Sequence, residues 1–62
     1  MKTFLVLYRT VSPGNIETDR SYRGNARNEE MFRQSFAVLC AAIHPGCEIR
    51  IQGVAEVHPR SL

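Results

Sequence analysis

Cysteine is scarce in this 62-residue chain: only Cys40 and Cys47 occur. A disulfide-framed secreted module of this length carries about four to eight, so the pair reads as two reduced thiols. No apolar run approaches the roughly 20 residues needed to cross a bilayer. The N-terminal run Phe4-Leu5-Val6-Leu7-Tyr8 follows a single lysine, Lys2, and ends at Arg9. It is too short for the apolar region of a signal peptide and reads as a strand. Linkers rich in glycine, serine or proline, internal repeats and low-complexity segments are all missing. A membrane partner is therefore not expected. One small domain is, over residues 1–58, with 59–62 as a frayed tail. An initiating methionine without a targeting segment points to the cytoplasm.

Chemistry-bearing motifs are equally sparse. There is no G-x-x-x-x-G-K-[ST] phosphate loop, no G-x-G-x-x-G turn and no H-E-x-x-H pair. Glu29 and Glu30 are adjacent rather than paired across a cleft. Cys40, His44 and Cys47 have the spacing C-x3-H-x2-C, with His58 downstream. Zinc would accept such a donor set, but the paired C-x-x-C knuckle is absent. Cys40 and His44 also stand four residues apart on one helix, where a thiol beside an imidazole can act as a nucleophile. No orienting carboxylate or oxyanion turn accompanies them. The expectation is a protein that is not an enzyme and uses neither cofactor nor metal.

The net charge is +2, and seven of the eight basic residues are arginine. Arginine suits interfaces with carboxylates or phosphates, although a GC-rich genome also favours it. A charge this mild does not demand nucleic acid.

What the sequence does contain is pattern. Residues 3–11 are apolar on both parities: Leu5, Leu7 and Val11 on one side, Phe4, Val6 and Tyr8 on the other. A strand apolar on both faces is usually central. Ser12-Pro13-Gly14-Asn15 is a turn, with proline presetting φ at the second position and glycine supplying positive φ at the third. A polar edge strand follows over 16–23, where charges discourage aggregation, and Gly24-Asn25 is expected to end it. Asn25 or Asn28 can cap the next helix, and Glu29 and Glu30 suit the positive end of its dipole. Phe32, Phe36, Leu39 and Ile43 follow an i, i+4, i+7, i+11 stripe that packs on a sheet. Met31, Val38 and Ala42 widen that stripe on one side. Pro45 and Gly46 stop the helix. The alternation Cys47-Glu48-Ile49-Arg50-Ile51 then marks a last strand, with a bulge or bend expected at Gly53.

The predicted fold is therefore α+β. Its element order is β-β-α-β, with a three-stranded antiparallel sheet in strand order 2-1-3 and one helix on one face. A single helix covers only one face of the sheet, so the other is left for a partner. Phe4, Val6 and Tyr8 are assigned here to that open face. Arg20, Tyr22, Arg23 and Arg27 form the densest basic segment and make the second candidate surface, through arginine–tyrosine contacts to a protein or by tracking phosphates and stacking a base.

The strand–turn–strand–helix–Pro-Gly–strand layout over residues 3–57, with Pro45-Gly46 followed by Glu48-Ile49-Arg50-Ile51, resembles small phage-encoded host-takeover proteins. In layout it is similar to the short podophage inhibitors of bacterial RNA polymerase. That resemblance implies a protein that inhibits a bacterial host protein by binding it, in the host cytoplasm, with Arg20, Arg23 and Arg27 as contact residues. The acidic strip used in that family is not evident in this chain. A nucleic-acid-binding module using the same arginines and a self-associating homodimer stand as alternatives.

Overall fold

The computed structural model describes residues 1–58; the expected tail at 59–62 lies outside the described residues. Strand β1 (Lys2–Val11) is followed by β2 (Glu17–Ala26), helix α1 (Glu29–Ile43) and β3 (Glu48–Val57). The three strands form one antiparallel sheet in the order β2-β1-β3. This is the predicted α+β fold, with the strand that is apolar on both sides in the middle.

The hairpin closes at Ser12–Asn15, where the Asn15 amide donates to the Ser12 carbonyl at 2.8 Å. Its left-handed residue is Asn15, at φ 62°, and not Gly14 as expected. Asparagine tolerates that conformation because its short polar side chain bonds locally. Strand β2 does not stop at Gly24-Asn25 but pairs with β1 as far as Ala26. The Thr3 hydroxyl donates to Asn25 Oδ1 across the pair at 2.8 Å, and Ala26 is buried. Tertiary pairing thus overrides the turn tendency of Gly-Asn.

Asn28 caps α1, its Oδ1 accepting from the Met31 amide at 2.8 Å. Gly46, at φ 78°, accepts the left-handed backbone that follows the helix. The pairing of β1 with β3 slips between Leu7 and Tyr8, leaving Gln52 as the extra residue beside Gly53. The expected bulge is therefore present, and its effect is to place Val54 on the same face as Ile49 and Ile51.

The core lies between the helix and one face of the sheet. It consists of Phe4, Val6 and Tyr8 from β1, Ala26 from β2 and Phe32, Phe36 and Cys40 from α1, with Tyr22, Ile49 and Val54 packed around it. Aromatic rings dominate. Phe4 stacks on Phe32 with centroids 5.2 Å apart, and Tyr8 meets Phe36 edge-on at 4.8 Å. Tyr22 stacks against both phenylalanines of the helix. Such pairs add about 0.5–1.5 kcal/mol each beyond their area burial, a substantial share for so small a core. The helical stripe is rotated from the expected one: Cys40 is buried, whereas Ile43 is 51% exposed. Ile43 is in the last turn, beside the C-cap at His44, so it gains little cover from the sheet.

Candidate functional site

The structure reverses the face assignment of the central strand. Phe4, Val6 and Tyr8 are not on the open face; they lie under the helix, and Val6 has no exposed surface at all. The open face is carried by the other parity: Thr3, Leu5, Leu7, Arg9 and Val11. The reason is volume. Two aromatic rings and a valine fill the space beneath a helix bearing Phe32 and Phe36 better than two leucines and an arginine would.

Cross-strand register then fixes the rest of that face. Residues directly opposite one another in an antiparallel pair share a side. Leu5 is therefore flanked by Arg23 and Ala55, Leu7 by Ser21 and Gly53, and Arg9 by Asp19 and Arg50. No element of the described residues packs on this surface. Leu7, at its centre, is 49% exposed. Its neighbours are small: a Cβ built on Gly53 would meet nothing within 4 Å. The result is a flat apolar centre around Leu5, Leu7 and Ala55.

One end of the face is charged. Arg9 Nε donates to Asp19 Oδ1 at 2.8 Å, and its Nη1 donates to Glu17 Oε1 at 3.2 Å. Those carboxylates hold the Arg9 guanidinium above its ordinary basicity, the bond to Asp19 contributing most. Arg50 pairs with Glu48 alongside.

The predicted arginine cluster is divided between two faces. Arg20 and Tyr22 stand opposite Tyr8 and Val6, so they point to the helix side. There Arg20 Nε donates to Thr10 Oγ1 at 3.1 Å, and Tyr22 is half-buried against the phenylalanines. Arg23 points to the open face opposite Leu5, and Arg27 sits in the connection to α1. Four residues close in sequence therefore present no single basic track, because strand alternation separates them.

Cys40, His44 and Cys47 do share one place, a cleft of about 590 Å³ between the end of α1 and β3, lined also by Phe36, Ile49 and Ile51. His44 Nε2 lies 3.0 Å from the Tyr8 hydroxyl. Among the described residues no three histidine, cysteine or acidic side chains are grouped so as to hold a metal ion. Burial pushes the Cys40 thiol up, which keeps it protonated, the opposite of what an activated nucleophile needs. Burial likewise raises Tyr8, reinforced by Cys40 and opposed by Arg20. The arrangement places a hydrogen-bonded Tyr8–His44 pair beside an apolar cleft.

The missed residues were Leu5, Leu7 and Ala55. A charge on their parity was available as a clue: Arg9 belongs to the set Leu5, Leu7, Val11 and faces Asp19 in the hairpin, which marks that side as the solvent side. No helix of the described residues is long and apolar enough to cross a membrane. No family model, curated protein or solved structure matches the chain.

Proposed function

We propose that this chain is a non-enzymatic protein-binding module that docks by its uncovered sheet face on a larger bacterial protein and acts by steric obstruction. The observation that carries this reading is the half-exposed Leu7 at the centre of a flat face flanked by Leu5, Ala55 and Gly53. Contact surfaces combine such an apolar centre with a polar rim, here Arg23, Arg9, Asp19, Glu17 and Arg50. The layout resemblance to phage host-takeover proteins supports a bacterial host protein as the partner and the host cytoplasm as the place. The division of Arg20 and Arg23 between opposite faces favours a protein over a nucleic acid.

The test is capture from nuclease-treated bacterial lysate by tagged wild type and by two variants. Leu7→Glu places a charge in the centre of the face, and Gln34→Glu changes an exposed helix position. One stoichiometric protein retained by wild type and Gln34→Glu but lost by folded Leu7→Glu is the expected result. Equal capture by all three sinks the assignment of the face. Loss of all bound material on nuclease treatment would transfer the role to phosphate recognition.

A further inference from the structure

We propose that the outer edge of β2 pairs with β2 of a second copy, joining two sheets into one antiparallel sheet of six strands about a two-fold axis at Ser21. This goes beyond the docking face and leaves its apolar centre of Leu5, Leu7 and Ala55 free.

The hydrogen-bond phase of the hairpin determines which groups β2 offers. The Ser12 amide donates to the Ile16 carbonyl at 3.0 Å, and the pairing continues in register to Lys2 opposite Ala26. Bonded pairs alternate along an antiparallel ladder. The even residues of β2 therefore spend their backbone groups on β1. Glu17, Asp19, Ser21, Arg23 and Asn25 direct theirs outward, over ten residues without a proline or a bulge. The opposite edge differs, because β3 is bent by the irregularity at Gln52-Gly53. A long, regular, unpaired edge is a template for another strand.

The charges along β2 select the partner. Its first half carries Glu17 and Asp19, which share one guanidinium, that of Arg9. Its second half carries Arg23, which forms no ion pair among the described residues. Such a strand is complementary to itself when reversed. With Ser21 facing Ser21 of the second copy, Asp19 faces Arg23 twice and Glu17 faces Asn25 twice. Roughly ten backbone hydrogen bonds form, because each of these outward pairs exchanges two. On the other side of the same ladder Arg20 faces Tyr22, a cation–π neighbour. Moving the axis by one residue sets Arg20 against its own copy or removes the Asp19–Arg23 pairs, so one register is favoured.

The helix leaves room for this pairing. Ala37 and Ala41 flank the cleft beside β3, so by the 100° helical step Ser35, Leu39 and Ala42 lie on the flank turned toward β2, and Val38 points to solvent. That flank is small and partly open, with Leu39 half-buried and Ser35 and Ala42 exposed. A two-fold axis perpendicular to the sheet places both helices on the same side. The two β1 strands would stand ~14 Å apart, three strand spacings. Helices of about 10–12 Å diameter lying over them fit side by side without a clash. A chain with so small a core gains from the added strand pairing.

The test uses the full chain. Sedimentation equilibrium should give the mass of two chains, with Arg23→Asp or Asp19→Arg weakening the dimer about tenfold and the combined reversal restoring it to within a few-fold. In a Cys47→Ser background, Ser21→Cys should cross-link to a covalent dimer on oxidation, because the axis brings residue 21 within disulfide reach of its copy. The control Arg33→Cys should not. A single-chain mass at about 1 mM, a range where even weak association shows, overturns the proposal. So does a dimer in which folded Ser21→Cys fails to cross-link, or one that Leu7→Glu dissociates. The last result would make the open face the self-contact. Loss of partner capture in Leu7→Glu with the dimer intact bears on the docking face alone, so the two readings fail separately.

Discussion

The Tyr8 hydroxyl and His44 Nε2, 36 residues apart in sequence, stand 3.0 Å apart and tie the middle of the central strand to the helix C-cap. The bond joins the buried ring of β1 to His44, which lines the α1–β3 cleft. Tyr8→Phe removes it while keeping the ring against Phe36. The expected cost is about 1 kcal/mol, read from urea denaturation. A cycle with His44→Ala should return a coupling energy of similar size, and additive losses in that cycle would show that the two groups do not interact.

Folding keeps both Tyr8 and Cys40 protonated, since burial raises each above its ordinary value of 10.0 and 9.0. The folded chain therefore binds more protons than the unfolded chain at alkaline pH. This contribution is fully present below pH 9.0, where both groups are protonated in either state, and is lost as pH rises through the raised values. The urea midpoint should stay level from neutrality to that point and then fall. Tyr8→Phe should flatten the upper part of the fall. A midpoint that rises with alkaline pH would contradict the burial of both groups.

Asn28 supplies the cap of α1 through its Oδ1. Asn28→Ala should destabilise the fold by about 1 kcal/mol, and Asn28→Asp should not, because a carboxylate accepts the same bond at the positive end of the helix. Asn25→Ala should cost less, since Asn25 bonds Thr3 across an exposed strand pair rather than capping the helix. Urea midpoints of the three variants decide it.

Two glycines in the sheet should respond in opposite ways. A Cβ at Gly24 would sit 2.9 Å from Tyr22 Cε2, so Gly24→Ala must push the ring off Phe32 and Phe36 and should cost about 1–3 kcal/mol. A Cβ at Gly53 meets open space, so Gly53→Ala should be neutral or stabilising by about 0.5–1 kcal/mol. Differential scanning calorimetry should show the melting temperatures moving apart.

Much of the architecture was legible because its determinants are local. Pro45 and Gly46 end the helix wherever it packs, Asn28 caps it through its own side chain, and Gly53 marks a bulge beside it. Apolar residues on both parities of β1 place that strand at the centre of any sheet it joins. The candidate site was less legible. Alternation shows that Phe4, Val6 and Tyr8 share one side and Leu5 and Leu7 the other, but with both sides apolar only the charge of Arg9, at the end of the second, marks which one faces solvent.

The amino-acid sequence by itself determined the element order, the central strand and the ends of the helix, because capping, turn and period-2 effects act within a few residues. Only the tertiary structure decided which side of β1 lies under the helix, where β2 ends and which of its arginines turns toward the helix. Those outcomes depend on the fit of Phe32 and Phe36 against Phe4, Tyr8 and Tyr22, and on a register that moves every side chain to the opposite face when it slips by one residue.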